Sequence, residues 1–586
     1  MRMCSVWLCL GVWCLLAGSA SSQTPDQRLQ SFFDDHLETC FALRPLDATL
    51  LGDHRFDDRL DDISAPAREG WLQHYRGQLL RLQSGIPYAE LSRDGQIDFE
   101  ILRDELQRNI WLMENTHPFE QDPRTYGTWI SDSVYSLLVQ STLPRETNIR
   151  NAISRMQQIP RIVRTAWQTL RDSPPTILET AILQNRGAIG FYEKGIYELL
   201  GDSKQVDAVR EAAVPVLEIL REHQAWLEDS RRLRAGGEWR LGRELFAQKL
   251  QHTLNAGVTA DQVLADAEAE YSRVQTELYI VARQLWSSRF PGKVLPPDDE
   301  QGRRETVRRV IASVSEEHGA PESLVADARA GVDNIRRFIT QRDILRLPEP
   351  DRCQIIEMPE FRRGNSLAYL DSALPLDPGG VSSYAVSPPP ADWGADRVRS
   401  FLEEYNNHML QVLTIHEAYP GHYVQLEYSN RSPSRIRRVL QSGVFIEGWA
   451  VYTEQMMLDQ GYGEGNLALR LNQLKFYLRA VINAILDHRM HCTPMTDDEA
   501  YALLTEGGYQ SEGEARLKII RAKQTSTQLS TYFVGRMAHY RLRQEIQREQ
   551  GEAFDLGRYH EAVLSHGSVP MKYLPELVRR RLTEPR

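Results

Sequence analysis

Apolar residues recur along most of this chain with the period of an α-helix. Residues 23 to about 350 read as helix after helix. Thr259 and Gln262 have the form of a capping box, in which each side chain satisfies a free backbone N–H at a helix start. They open a run in which Val263, Leu264, Ala267, Tyr271, Val274 and Leu278 share one face. Stretches 204–230 and 302–342 repeat that spacing, and Pro-rich joints at Ser173-Pro174-Pro175 and Leu295-Pro296-Pro297 separate such segments. No repeat of fixed period is present. Between 350 and 395 the pattern changes: 354–357 and 381–386 read as short strands flanked by Pro and Gly. Leu402, Tyr405, Met409, Val412 and Leu413 then give the buried face of one long helix, and 445–458 read as another. The class this predicts is mainly α with a small β element.

The first 22 residues stand apart. Arg2 precedes the apolar run VWLCLGVWCLLAG, and Gly18-Ser19-Ala20 offers small residues for cleavage. This is the pattern of a signal peptide, with an apolar run too short to span a bilayer. No Cys follows it in a lipobox arrangement. The expectation is export to the periplasm or the extracellular space without stable membrane insertion. A retained membrane anchor is the alternative. Two regions follow: 23–350 as a helical part of the cleft wall, and 351–586 carrying the chemistry. After export Cys40, Cys353 and Cys492 remain, an odd number that allows one disulfide at most.

Charge narrows the partners. The formal net charge of −11 argues against nucleic acid. The basic clusters at 231–234, 435–438 and 579–581 lack interleaved aromatics and read as solvated faces. The acidic run 57–62, close to Asp53 and His54, lacks the Gly-punctuated form of a calcium loop and reads as a charged loop after a helix.

The chemistry concentrates between Thr414 and Glu454. The stretch TIHEAYPGH supplies His416, Glu417 and His422, and VFIEGWAVYTEQ supplies Glu447 and Glu454. Zinc takes neutral imidazole nitrogens and carboxylate oxygens, and a catalytic site keeps one position for water. Glu417, beside the first His, is placed to take a proton from that water. The spacing tests this reading. His422 lies six residues after His416, about 120° away on a straight helix. Pro420 removes a helix donor and Gly421 tolerates unusual backbone angles. A broken turn there would bring His422 back beside His416. A helix end with an incidental His is the alternative. Glu447 is the expected third ligand, with Glu454 as the alternative or as a partner to a ligand His. Trp449 reads as packing.

HEAYPGH with Gln425, followed by EGWA at 447–450, resembles the bacterial family called domain of unknown function 885. LGDHRFDDRLDD (51–62), the Asp487–His491 element, TQLSTYFVG (527–535) and the 554–570 segment match its other motifs. The resemblance covers nearly the whole chain after residue 22. It implies a zincin-like, mostly helical metallopeptidase fold with a deep cleft, in which the six-residue His spacing is normal. It also places Tyr532 and His491 in later motifs, as donors to the developing oxyanion. Arg479 and Arg536 are candidates for a peptide carboxylate. Tyr384 is the candidate for an edge strand that takes substrate as an added strand, as in zincin-like enzymes.

The expectation is an exported hydrolase of short peptides with one zinc per chain. His416, His422 and Glu447 hold the metal, Glu417 is the base, and Tyr532 and His491 stabilise the oxyanion. Two other readings stand beside it: a zinc hydrolase of a non-peptide amide or ester, and a helical binding protein with a vestigial metal site. Oligomeric state is not readable.

Overall fold

A computed structural model describes residues 23–229, 237–358, 367–377 and 379–584. The signal-peptide expectation for 1–22 and the basic cluster at 231–234 lie outside these residues. Helices account for most of the rest, and no described helix is long and apolar enough to cross a membrane.

Local sequence explains where many helices begin. Thr24 and Gln27 form a reciprocal capping box at Pro25–Leu43, as Thr259 and Gln262 do at Ala260–Arg289. The latter helix buries Val263, Ala267, Val274 and Leu278, the face its spacing implied. Leu264 and Tyr271 are half-buried beside it. This helix packs along Leu467–Cys492, whose buried residues surround the helix on every side. A helix buried on all sides belongs in the centre of a multi-helix core, and the motif helices gather around it.

The long helix expected across 402–413 is two. Ala395–Glu404 ends at Tyr405, and Asn407–Glu417 starts afresh. Asn406 is the cause: its side-chain oxygen accepts from the N–H groups of His408 and Met409, satisfying donors that a continuous helix would occupy.

The β element has three strands: β1 (Cys353–Glu357), β2 (Ala368–Asp371) and β3 (Ser382–Val386). Their order is β1-β3-β2, with β3 parallel to β1 and antiparallel to β2. Tyr384 therefore sits in the central strand, with both edges paired. It is buried, and its hydroxyl bonds Thr414 Oγ1 at 3.0 Å. The edge-strand role expected of Tyr384 is excluded by this pairing; β2 carries the edge that faces the motif helix.

The acidic run is the charged loop after a helix that was expected, with Asp58 and Asp62 exposed and two carboxylates turned inward. Asp57 and Asp61 are buried: Asp57 accepts from Thr49 Oγ1 at 2.6 Å, and Asp61 accepts from Leu46 N and Trp129 Nε1, each at 2.9 Å. In the two described basic clusters, arginines are paired with carboxylates. Arg437 is buried against Asp94 and Asp98, and Arg579 meets Glu545 and Glu549. Cys40, Cys353 and Cys492 are all free thiols.

Candidate metal centre

The Asn407–Glu417 helix delivers His416 and Glu417 at its last turn and stops there. Ala418 leaves helical geometry with φ −114° and ψ −83°, and a new helix runs from His422 to Asn430. The expected break at Pro420-Gly421 is therefore a complete interruption, with a cis peptide at Tyr419–Pro420. The turn is tight. Gly421 N–H donates to Ile415 O at 3.0 Å, and a Cβ on Gly421 would stand 1.9 Å from His416 O. Only glycine permits that approach. Three side chains pin the turn from outside. Trp449 Nε1–H donates to Pro420 O at 2.8 Å, and the hydroxyls of Tyr419 and Tyr423 both donate to Asp351 at 2.8 Å. Trp449, expected only to pack, also positions the motif.

The turn brings the two imidazoles together. Their centroids are 4.7 Å apart and their planes are 88° apart. Glu447, from the Gly443–Asp459 helix, reaches His422 Nε2 at 3.6 Å. One ligand atom from each of His416, His422 and Glu447 falls within 4.8 Å of the others. Glu454, two turns after Glu447, stands behind His416 and accepts from its Nδ1 at 2.7 Å. That bond leaves His416 Nε2 to face inward.

Burial shifts every ionisable group of the cluster. Glu417, Glu447 and Glu454 converge on the imidazoles in a buried site. Burial, with His422 nearby, holds His416 down to about 3. Burial also pushes Glu417 up to about 7, with His422 opposing the rise and Glu447 adding to it, and drives Glu454 well above the carboxylate range. Burial opposes charge on His422 and Glu447 as well. Their mutual attraction outweighs it, so His422 lies above and Glu447 below its ordinary value. His422 Nδ1 and Glu454 Oε2 are buried without partners. A bound cation would favour the charged form of these carboxyls, and two imidazoles with a carboxylate are the donor set of a zinc-type ion. The residues fit the group.

Two neighbours complete the site. Leu370 N–H, on β2, lies close enough to the Glu417 carboxylate to lower its pKa slightly against the larger effect of burial. Tyr532, on the Ser530–Gln550 helix, lies close enough to Glu447 for the carboxylate to raise its phenol pKa, after the larger effect of burial. A glycine crossing sets this position. A Cβ on Gly448 would lie 2.3 Å from Gly535 C, so the two helices touch backbone to backbone beside Glu447 and Tyr532. Tyr532 Oη accepts from Arg521 Nη2 at 3.2 Å and from Gln528 Nε2 at 3.3 Å, which leaves its own proton free to donate elsewhere.

His491 is not part of this cluster. Its Nε2–H donates to Ala522 O and Thr525 O, and its ring packs against Trp239 and Phe246. The expected oxyanion role fails because the donor is already used by backbone carbonyls. Asp487 likewise serves the fold, accepting from Thr527 N, Ser530 N and Ser530 Oγ. Arg536 is buried against Glu270, Gln455 and the Tyr477 and Tyr540 rings, and Arg479 pairs with Glu514. Sequence reasoning missed Leu370 and Arg521, which belong to segments with no motif of their own.

These features define a mainly helical protein in which two histidines at a broken helix meet a glutamate from a neighbouring helix. The chain belongs to the family described as "Bacterial protein of unknown function (DUF885)", which matches residues 45–578. A candidate lipoprotein of unknown function from Shewanella oneidensis has a similar structure, with a TM-score of 0.79 and 30% identity over 95% of this chain and 100% of that one. A candidate lipoprotein from Colwellia psychrerythraea matches with a TM-score of 0.76 and 16% identity, covering 96% and 99% of the two chains. No curated protein matches.

Proposed function

We propose that this chain is an exported zinc metallopeptidase that cleaves short peptides, with a zincin-like arrangement of motif helix, sheet edge and cleft. The observation that carries the reading is the convergence of His416, His422 and Glu447, with Glu417 beside them and Glu454 behind His416. His416, His422 and Glu447 would hold the ion. When bound, zinc supplies Lewis acidity toward a carbonyl oxygen and toward water.

The chain's own groups do the rest. Glu417 takes a proton from the attacking water and returns it to the leaving amine nitrogen. A carboxyl poised near neutrality suits both transfers, and burial holds Glu417 at about 7. Leu370 N–H favours the charged form of that carboxylate. The free phenolic proton of Tyr532 is directed to the developing oxyanion, while Arg521 and Gln528 hold the ring oxygen in place. β2, the edge strand beside Glu417, takes an extended peptide as an added strand. Export is consistent with relatives described as candidate lipoproteins and with the absence of a membrane-crossing helix among the described residues.

The test is turnover of a mixed peptide library by zinc-loaded protein and by Glu417→Gln. Peptide cleavage by the parent, abolished in a variant that retains its metal, supports the reading. Turnover confined to ester or amide substrates would replace it with a non-peptide hydrolase. Absence of turnover on all classes, with ligand binding intact in both proteins, would leave a binding protein.

A further inference from the structure

A second group of ligand-type side chains lies far along the sequence from the site just described. His36 and Cys40 come from the Pro25–Leu43 helix, one turn apart, so both project from one face. His74 comes from the Ala65–Gly85 helix packed alongside. His36 is buried, and Cys40 and His74 are partly so.

The distances are specific. Cys40 Sγ lies 3.7 Å from His36 Nδ1, 3.6 Å from His36 Nε2 and 3.5 Å from His74 Nε2, and His36 Nδ1 and His74 Nε2 are 3.2 Å apart. A tetrahedral zinc site has S···N edges of about 3.6 Å and N···N edges of about 3.3 Å, from the Zn–S and Zn–N bond lengths. The point equidistant from these three atoms is about 2.0 Å from each, near those bond lengths of about 2.0–2.3 Å. The three spacings match in length, and because Sγ lies equally near both His36 nitrogens, the His36 ring would turn to aim Nδ1 at the ion. The rings of His36 and His74 are near-parallel, 5° between planes.

We propose that His36, Cys40 and His74 form a second metal site, for a zinc-class transition ion bound by one thiolate and two imidazoles. The partial exposure of Cys40 and His74 leaves the fourth position to water. A thiolate–imidazole set selects against calcium and magnesium, which need oxygen ligands. The surroundings disfavour a reactive thiol. Burial pushes Cys40 up to about 12, with Asp47 adding to the rise and Arg44 opposing it, so without a metal the thiol stays protonated and inert. Burial, and then His74, holds the His36 imidazole in its neutral, ligating form at about 4, against a smaller opposing effect of Glu105. A bound ion would tie the first helix to the Ala65–Gly85 helix at a point where no disulfide does so.

The site is separable from the His416 cluster, which contains no sulfur. Titrating the mature chain, kept reduced, with cobalt(II) chloride at neutral pH reads it directly, because only a cysteine ligand gives a thiolate-to-cobalt charge-transfer band. The expected result is a band that saturates at one equivalent per chain, disappears in Cys40→Ser, and needs at least tenfold more cobalt in His74→Ala. A parent without the band, or a band that survives Cys40→Ser at full strength, overturns the proposal. In that case the three groups are a neutral hydrogen-bonded cluster. Should Cys40→Ser fail to fold, the His74→Ala shift decides: an unchanged titration overturns the site. Neither outcome depends on whether His416 and His422 bind metal.

Discussion

Glu454 Oε1 accepts a hydrogen bond from His416 Nδ1 at 2.7 Å, and Glu454 is fully buried. The pair orients the imidazole and directs its other nitrogen toward His422 and Glu447. A carboxylate behind a ligand histidine fixes its tautomer and raises its basicity. Glu454→Ala is therefore expected to weaken zinc affinity by about 10–100-fold, read by competition with a chromogenic chelator. Unchanged affinity would mean that Glu454 serves only the fold.

Gly421 allows the turn that returns His422. A Cβ there meets His416 O at 1.9 Å and Ile415 O at 2.3 Å, both backbone atoms that cannot move aside cheaply. Gly421→Ala should open the turn, destabilise the chain by about 1–3 kcal/mol and lose metal at the His416 cluster. Denaturant unfolding and metal analysis check this. Parental stability with full metal content would show that the turn tolerates the opening.

Tyr532 and His491 were both expected to stabilise the oxyanion, and the structure separates them. Tyr532→Phe should lower kcat by about 10²–10³-fold with little change in KM or metal content. His491→Ala should instead lower stability, since it removes a ring donating to Ala522 O and Thr525 O. Steady-state kinetics beside thermal melts distinguish the two; the reverse pattern would contradict this assignment.

His54 links the N-terminal helices to the loop after β2. Its Nδ1 meets Asp57 at 2.9 Å and its Nε2 meets Asp377 at 3.1 Å. The bond to Asp57, then that to Asp377 against a burial penalty, raises His54 to about 8. A raised folded-state value means that the stabilisation is complete below the unfolded value of 6.5 and is lost as pH rises through about 8. The parent should lose at most about 2 kcal/mol between pH 6 and pH 9 from this group, and His54→Gln should lose none of it. Equal pH slopes for the two proteins in denaturant titrations would refute the linkage.

The helical class, the motif and the ligand candidates were legible because they rest on short-range signals: 3.6-residue periodicity, a capping box, and chemistry packed into 416–422. The role of Glu454 was also legible, since seven residues place it on the face of Glu447. What was hidden depends on pairing across the chain. β2 has only four residues and no alternation of its own, so neither it nor the central position of β3 could be read before the strands were paired. The Gly448–Gly535 contact joins helices 87 residues apart in sequence. The break at Asn406 was locally encoded, but the apolar spacing on both sides hid it. His491 was assigned by its motif; its backbone partners at 522 and 525 show that the motif element serves packing.

The central claim is that the turn at Pro420-Gly421 folds His422 onto His416 and Glu447 to hold a zinc ion. Zinc content of the purified mature protein, measured beside His422→Ala after identical reconstitution, tests it most directly. The account predicts one equivalent fewer per chain in the variant, whatever the His36–Cys40–His74 group contributes to both. Equal zinc content in the two proteins would contradict it.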